Sequence, residues 1–293
     1  MLQINNVSKS FSDNLILNGI TWTIKPKTIY GLIGKNGAGK STLMRCISGV
    51  YEIDSGEILF QGIDIKDNPN VKREVVLLSD SPFEIKQSTL AQLSEFYQIF
   101  YPQFDKKVYR QLLELFNYDE NKPLNRASKG LKRQASLILV LSIRPKLLLL
   151  DESYDGLDPY LRIDLTKYLK EQFIDENTSI IISSHNVHEL EHLCDEMVIL
   201  ENNKIHHRES EVDNNHPFIK VQVGFNYDVT HESIATLNPL DVEKEGRVYK
   251  IITDKPFDEF KESLKELHPA LIYQLDLPIQ ELFLKKIEVN HHE

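Results

Sequence analysis

The pattern of hydrophobic positions in the first part of the chain predicts buried strands that alternate with helices. Continuous apolar runs at residues 28–33, 146–150 and 180–184 are typical of strands buried on both faces of a parallel sheet. Residues 2–24 predict short strands packed on this sheet. Helices are predicted, from apolar residues at three- and four-residue spacing, at 89–100, 106–116 and 128–143. We therefore expect an α/β domain with a helix-rich stretch inserted between two of its strands.

A polar stretch separates this domain from a second pattern near the C-terminus. Residues 206–216 are mainly polar and predict a linker. The elements predicted beyond it are strands at 218–225, near 242, at 248–253 and at 271–277, and helices at 232–237, 257–267 and 279–287. The order β-α-β-β-α-β with a final helix is typical of a small ferredoxin-like α+β domain. We place the two domains at 1–208 and 217–293, with a linker at 209–216.

Composition limits the classes of protein to which the chain can belong. A length of 293 residues with 41% hydrophobic content allows one large domain and one small one. The formal net charge of −10 disfavours binding to nucleic acid or to an anionic bilayer. Two cysteines, Cys46 and Cys194, provide no disulfide framework or zinc spacing, which favours a cytoplasmic protein. Since no apolar segment is long enough to span a membrane, membrane association is expected to depend on a protein partner.

Residues 34–42, GKNGAGKST, have the spacing G-x-x-x-x-G-K-[ST] of a loop that holds nucleotide phosphates. The loop lies between the apolar run 28–33 and a predicted helix at 43–48. Its glycines let backbone N–H groups point at phosphate oxygens, while Lys40 reaches the β and γ phosphates and Ser41 binds Mg²⁺. The candidate binding residues are Gly34, Asn36, Gly37, Ala38, Gly39, Lys40, Ser41 and Thr42. The motif predicts binding of a nucleoside triphosphate.

Two consecutive carboxylates follow the apolar run 146–150. Because this run is predicted as a parallel strand, Asp151 is expected at its carboxyl end, beside the phosphate loop. Asp151 is placed to hold Mg²⁺ through water, and Glu152 to polarise an attacking water molecule. The pair predicts nucleotide hydrolysis.

Further motifs lie between the phosphate loop and the Asp151–Glu152 pair, and after that pair. Residues 126–134, RASKGLKRQ, precede an apolar helix, and Ser128 and Gly130 match the pattern LSGGQ, whereas Ala127, Lys129 and Leu131 depart from it. Residues 156–159, GLDP, follow the carboxylates, and His185 ends the run 180–184. In this order the chain resembles the ATP-binding cassette (ABC) superfamily over about residues 2–205. The implied fold is a P-loop NTPase domain with a helical subdomain at about 88–144.

The resemblance implies roles for several residues. Asp158 falls in the family's D-loop, and His185 corresponds to its switch histidine, which senses the γ-phosphate. Phe11 corresponds to the aromatic residue that stacks on adenine, although a core aromatic residue is the alternative. Ser128 and Gly130 would contact ATP held by a second cassette.

Two positions depart from the family pattern. Asp80 falls where a glutamine usually contacts Mg²⁺ and the attacking water, so we expect Asp80 to act in hydrolysis and to bind the metal directly or through water. Ser153 follows Glu152 where proline is common. Glu152 itself is retained, and hydrolysis is still expected.

The resemblance implies two cassettes that enclose two ATP molecules and drive a separate transmembrane subunit at the cytoplasmic side of the cell membrane. The second cassette is either a second copy or a different chain. Residues 278–285 resemble the closing helix of ATPase subunits from ABC-2-type exporters. Among these exporters, the chain as a whole is similar to those that handle bacitracin-like antibiotics or phenol-soluble modulin peptides. The expected function is export of antimicrobial or amphipathic toxin peptides. The alternative is a soluble ABC ATPase without a transport role, of a regulatory or translation-associated kind. For the transporter subunit, no nucleic-acid partner is expected. The C-terminal domain is interpreted as a dimerisation or regulatory appendage, or as a packing cap.

Overall fold

The computed structural model describes residues 1–66, 68–80, 88–154, 157–175, 178–185, 190, 192–207 and 218–275. The chain forms two compact units, Met1–Arg208 and Glu209–Glu293. The predicted helix at 279–287 and the predicted linker at 209–216 lie outside the described residues. Over the described ranges, no helix is both long and apolar enough to cross a membrane.

The first unit contains two sheets. Its strands are β1 (Leu2–Phe11), β2 (Asn14–Ile24), β3 (Ile29–Ile33), β4 (Ser55–Phe60), β5 (Ile63–Asp64), β6 (Val75–Leu78), β7 (Leu147–Asp151), β8 (Ser179–Ser184), β9 (Glu196–Glu201) and β10 (Lys204–His207). Its helices are α1 (Lys40–Ile47), α2 (Pro69–Glu74), α3 (Leu90–Phe100), α4 (Lys106–Leu115), α5 (Lys129–Ser142) and α6 (Pro159–Tyr168). The α/β architecture predicted from the hydrophobic pattern is confirmed.

The larger sheet has the strand order β10-β9-β3-β8-β7-β6. All neighbouring strands run parallel except β9 and β10, which form an antiparallel hairpin. Every residue of β3, β7 and β8 is buried, which explains why these strands are nearly continuous apolar runs. Since parallel strands end at the same edge, the segments that follow β3, β7 and β8 meet there.

The linker prediction at 206–216 is wrong at its first two residues. His206 and His207 belong to β10, where they pair with Ile199 and Val198 of β9. The pairing is made by the backbone at the edge of the sheet, so polar side chains are tolerated there and the sequence pattern does not reveal the strand.

The smaller sheet, of order β2-β1-β4-β5, is antiparallel. The prediction of short strands at 2–24 is wrong in one respect, because β1 and β2 are long. The β1–β2 pairing shifts register between Ile4 and Val7 and again before Lys9 and Ser10. These irregularities interrupt the alternation of apolar and polar residues, which makes one long strand look like several short ones.

Both sheets share a core with α1. Trp22 of β2 packs edge-on against Tyr30 of β3, with ring centroids 5.5 Å apart, and Leu43 and Met44 of α1 are fully buried in the same cluster. This packing fixes the start of α1 relative to the carboxyl end of β3.

The helices between β6 and β7 begin at side-chain caps. Thr89 and Gln92 form a reciprocal capping box at the start of α3. Asp105 caps α4 by accepting from the N–H groups of Lys107 and Val108. The predicted helices at 89–100, 106–116 and 128–143 are confirmed, with ends that differ by one residue.

The second unit has a four-stranded antiparallel sheet. Its elements are β11 (Ile219–Gly224), α7 (His231–Ala235), β12 (Asp241–Glu245), β13 (Val248–Thr253), α8 (Phe257–Leu264) and β14 (Leu271–Leu275). The strand order β12-β13-β11-β14 and the antiparallel pairing follow the split β-α-β-β-α-β arrangement predicted from the sequence. Its core contains Val221, Val223, Tyr249, Ile251 and Phe260, all fully buried.

Candidate nucleotide-binding and hydrolysis site

The loop at 34–39 joins the buried end of β3 to the first turn of α1. At Gly34, a Cβ atom would lie 2.5 Å from the carbonyl oxygen of Leu200 and 3.2 Å from the Cβ of Ala38, so no side chain fits there. Gly39 caps α1 with a φ of 105°, in the left-handed region that favours glycine. The helix therefore begins at Lys40, earlier than the predicted start at 43, and its first-turn N–H groups are directed at the loop.

Lys40 lies almost completely buried at the start of α1, with 4% of its surface exposed. Its Nζ atom donates to the carbonyl oxygens of Gly34, at 2.7 Å, and Lys35, at 3.3 Å. Glu152 approaches the same ammonium group, with Oε1 3.7 Å from Nζ. The cation is thus held between the phosphate loop and the end of β7.

Asp151 is buried beneath the loop, and its carboxylate accepts hydrogen bonds from two hydroxyl groups. Ser41 Oγ donates to its Oδ1 at 3.1 Å, and Ser183 Oγ donates to the same oxygen at 2.7 Å. One carboxylate and one hydroxyl side by side are hard oxygen donors of the kind that Mg²⁺ uses together with phosphate oxygens and water. Within the described residues, no group of three or more acidic, histidine or cysteine side chains forms a cage for a metal ion. The Ser41 hydroxyl and the Asp151 carboxylate themselves fit as two ligands of a Mg²⁺ ion whose other ligands are phosphate oxygens and water.

Glu152 follows Asp151 directly but differs from it in backbone and environment. Its φ is 48°, in the left-handed region, and its side chain is 33% exposed. Its N–H group donates to the main-chain oxygen of Ser183, at 3.2 Å, and to the Ser183 hydroxyl, at 3.0 Å. The carboxylate is thus presented to solvent at the same edge as Lys40.

A cleft of about 360 Å³ opens above the loop. Its lining includes Phe11, Ile16, Asn36, Gly37, Gly39, Lys40, Ser41, Thr42 and Glu152. Phe11 is 43% exposed and meets the edge of Tyr51, with ring centroids 5.3 Å apart. The Lys9 ammonium lies 5.3 Å from the Phe11 ring centroid. An aromatic ring is thus available at one side of a cleft whose other side is the phosphate loop.

In the described chain, Gly34, Ala38, Asp80 and Asp151 are outside the lining of this cleft, and four other predicted residues also lie outside it. Ser128 is exposed and caps α5, accepting from the N–H of Leu131 at 3.3 Å. A Cβ atom on Gly130 would meet open space. Asp158 is exposed and caps α6 through the N–H of Tyr160 at 3.0 Å, and His185 is exposed directly after β8. Ser128, Asp158 and His185 thus lie at the surface, and His185 follows β8 at the sheet edge where the phosphate loop also begins.

Asp80 lies two residues beyond β6 and is paired with α5. Arg133 Nη2 donates to the main-chain oxygen of Asp80 at 3.3 Å and lies 3.7 Å from its Oδ1. Asp80 is 53% exposed in its side chain, whereas that of Arg133 is 11% exposed. The structure therefore joins the end of β6 to the helix that follows Ser128.

Two candidate site residues, Ser183 and Ser153, were not predicted from the sequence. Ser183 contacts both Asp151 and Glu152, and Ser153 donates to the main-chain oxygens of Leu78, at 3.1 Å, and Asp151, at 3.0 Å. Ser183 carried a usable signal, since it faces the position of Asp151 if neighbouring parallel strands end in register. Ser153 carried none beyond its replacement of proline.

The fold and site define a P-loop nucleotide hydrolase: a parallel sheet, a phosphate loop that opens a helix, and a buried carboxylate beside that helix. A family model described as "ABC transporter" matches residues 17–155. The chain is 33% identical over 287 residues to the ABC transporter ATP-binding protein YtrB of Bacillus subtilis (strain 168), with 98% of each chain covered. It is 34% identical over 201 residues to the lantibiotic transport ATP-binding protein SrtF of Streptococcus pyogenes, covering 67% of this chain and 84% of that one.

Among solved structures, one described as the ATP binding subunit of an ABC transporter superposes with a TM-score of 0.65 at 26% identity. The match covers 70% of this chain and 88% of that one. The chain therefore belongs to the ABC transporter family, as an ATP-binding, ATP-hydrolysing subunit. ABC membership and the P-loop ATPase fold, both predicted from ordered motifs, are confirmed.

Proposed function

We propose that this protein is the ATPase subunit of an ABC exporter and that it drives a separate membrane subunit from the cytoplasmic side of the membrane. The observation that carries the proposal is the meeting of Lys40, Ser41, Asp151 and Glu152 at one sheet edge. ATP hydrolysis needs a phosphate-binding cation, metal ligands and a group that orients water, and this edge provides all three.

Binding of the nucleotide and of Mg²⁺ is assigned to the following residues. Phe11 stacks on the adenine, the residues at 34–42 hold the phosphates, and Lys40 contacts the β and γ phosphates. Ser41 and Asp151 hold Mg²⁺, with Asp80 as a further candidate ligand. Bound Mg²⁺ supplies positive charge that neutralises the phosphate oxygens.

Hydrolysis itself is assigned to Glu152 and His185. Glu152 accepts a hydrogen bond from a water molecule, whose oxygen attacks the γ-phosphorus as the bond to the β-phosphate oxygen breaks. ADP and inorganic phosphate leave, and the proton of the water passes to the carboxylate or to solvent. His185 contacts the γ-phosphate, so its position reports whether ATP or ADP is bound.

Two cassettes are proposed to close on two ATP molecules. Ser128 is exposed and Gly130 is half-buried with open space beside it, and neither belongs to the lining of the unit's own cleft. This supports the proposal, because the start of α5 then remains accessible to a phosphate held by another cassette. Asp158, also exposed, is assigned to the same interface. The second cassette is a second copy of this chain or a related chain.

The cargo is proposed to be an antimicrobial or amphipathic toxin peptide. The support is the likeness to SrtF, which is described as a lantibiotic transport protein, over the nucleotide-binding part. We assign that part to residues 1–208, the linker to 209–216 and an accessory domain to 217–293. The alignment with YtrB, which covers 98% of this chain, indicates that the accessory part belongs to an ABC ATP-binding protein as well.

Co-purification from native membranes tests the proposal. The full-length chain is isolated in ATP, as wild type and as Glu152→Gln, which should retain ATP because the water is no longer oriented. We expect a multi-spanning membrane protein in stoichiometric amount, more stably bound to the variant. Recovery of both forms without a membrane partner, in the soluble fraction, would favour the soluble ABC ATPase instead.

A further inference from the structure

We propose that Ser183 and Ser153 are positioning residues for ATP hydrolysis, which together hold Glu152 in the backbone conformation that presents its carboxylate to the nucleotide cleft. The inference rests on the proposed role of Glu152. Neither serine lines the cleft in the described structure, so both act through Glu152 and Asp151 rather than by touching ATP.

The starting point is the left-handed backbone of Glu152, with a φ of 48°. A residue with a Cβ atom is disfavoured in this region, because the Cβ crowds the neighbouring carbonyl oxygen. Such a conformation persists when surrounding contacts determine it, and it often occurs at functional sites. The contacts that could hold Glu152 therefore need to be identified.

Ser183 provides the first contact, from β8. It is fully buried and lies directly opposite Asp151 in the β7–β8 pairing. Its hydroxyl accepts from the Glu152 N–H at 3.0 Å and donates to Asp151 Oδ1 at 2.7 Å. The hydroxyl thus contacts the metal-binding carboxylate and, together with the main-chain oxygen of Ser183, which accepts from the same N–H at 3.2 Å, holds the backbone of Glu152.

Ser153 provides the second contact, to β6. Its hydroxyl is buried, with 1% of the residue exposed, and shares its hydrogen between the carbonyl oxygens of Leu78, at 3.1 Å, and Asp151, at 3.0 Å. In the sheet, β7 lies between β8 and β6. Glu152 is therefore anchored to both neighbouring strands. Ser183 connects it to β8, and Ser153, the next residue in the chain, connects it to β6.

Loss of either hydroxyl should misplace the Glu152 carboxylate while leaving the phosphate loop unchanged. An error of position near the reacting atoms lowers the rate of chemistry, and a displacement of about 1 Å can cost about a hundredfold. Since ATP binding is assigned to Phe11 and to residues 34–42, the affinity for ATP should stay nearly constant. A purely structural role would predict loss of folded protein, without a selective effect on turnover.

The test measures steady-state ATP hydrolysis and binding of a fluorescent ATP analogue by the full-length chain. Ser183→Ala and Ser153→Ala should each lower kcat by roughly tenfold or more, with KM and the analogue Kd within about threefold of wild type. Ser183→Thr, which keeps the hydroxyl, should recover most of the turnover. Ser142→Ala is the matched control, since Ser142 is also fully buried and donates to a main-chain oxygen, that of Ile138, but lies in α5.

Combination with Glu152→Gln separates this inference from the proposed function. If Glu152 orients the water, Glu152→Gln is nearly inactive and adding Ser183→Ala lowers the rate little further, because the two act as a unit. Turnover at the wild-type rate in Glu152→Gln would overturn the proposed role of Glu152 itself. Wild-type kcat in folded Ser183→Ala and Ser153→Ala, beside an inactive Glu152→Gln, would overturn only the inference. If Ser183→Ala does not fold, Ser153→Ala decides by the same criterion.

Discussion

Two consecutive carboxylates reach the same edge of the sheet because their backbones differ. Successive side chains of an extended strand point to opposite faces, so Asp151 and a strand-like Glu152 would point apart. Instead, Asp151 is buried against Ser41, and Glu152, with its φ of 48°, brings Oε1 to 3.7 Å from Lys40 Nζ. The left-handed residue ends the alternation and sends both carboxylates toward the start of α1.

Substitution of Ser153 by proline tests this reading of the backbone. Proline is common at this position in ABC proteins, yet it biases the preceding residue toward extended conformations, away from the φ of 48° at Glu152, and it removes the hydroxyl bonded to Leu78. We therefore expect Ser153→Pro to lower kcat at least as much as Ser153→Ala, by roughly tenfold or more. Steady-state hydrolysis by the two variants, compared at equal folded fraction, is the measurement. A proline variant more active than the alanine variant would contradict the backbone argument.

At the scale of elements, the sequence predicts the buried strands, which hydrophobic burial determines, and the position of the phosphate loop, which motif spacing determines. The runs that became β7 and β8 are fully buried, and their composition alone identified them. The phosphate loop and Asp151 could be placed together because parallel strands end at one edge. The contacts of Ser183 and Ser153 could not be predicted in this way, because they depend on the register of three strands and on one left-handed residue.

The ends of helices and strands could be predicted where a side chain marks them, and were missed where only the backbone determines them. Ser128, Thr89 and Asp105 cap helices with their side chains, and these helices were predicted to within a residue. The start of α1 was missed by three positions because its cap, Gly39, has no side chain to signal it. The strand β10 was missed because backbone pairing, rather than apolar side chains, defines it.

The contact between Asp80 and Arg133 joins β6 to α5 and gives a prediction at this scale. Asp80→Ala should lower ATPase activity by about two- to tenfold, up to about 1.4 kcal/mol in activation free energy, while nucleotide binding stays nearly intact. The reason is that Asp80 follows β6 at the carboxyl edge of the parallel sheet, where we assign the hydrolysis site, and contacts Arg133 of α5, the helix that carries the signature residues. Since the pair is partly exposed, the free energy of unfolding should change by at most about 1 kcal/mol.

Turnover, analogue binding and thermal unfolding of the full-length chain check this prediction. Asp119→Ala is a suitable control, because Asp119 is an exposed acid paired with Lys122, at 3.6 Å, and lies outside the cleft. Arg133→Gln should reproduce part of the loss if the ion pair is responsible. Unchanged turnover in Asp80→Ala would remove Asp80 from the hydrolysis site.

At the scale of the whole molecule, the first unit contains cysteine and tyrosine side chains, buried or half-buried, whose pKa values are raised. Burial raises the pKa of Cys46 from an ordinary value near 9 to about 11, and burial also raises the pKa of Cys194. Burial is also the main cause of raised pKa values in a set of tyrosines. These are Tyr30, Tyr97, Tyr101, Tyr109, Tyr118 and Tyr168. The folded state therefore holds protons that the unfolded chain releases at lower pH.

Stability should consequently fall as the pH rises from about 9 to 11. In this window the unfolded chain has fewer bound protons than the folded chain, so the free energy of unfolding decreases with pH. The unfolding midpoint should drop by about 2–4 °C for each kcal/mol lost. Thermal unfolding at constant ionic strength from pH 7 to 11 measures this, and Cys46→Ala, which lacks one of the groups, should show a shallower fall above pH 9 than wild type. A midpoint that stays level or rises up to pH 11 would mean that these side chains ionise in the folded protein as they do in water.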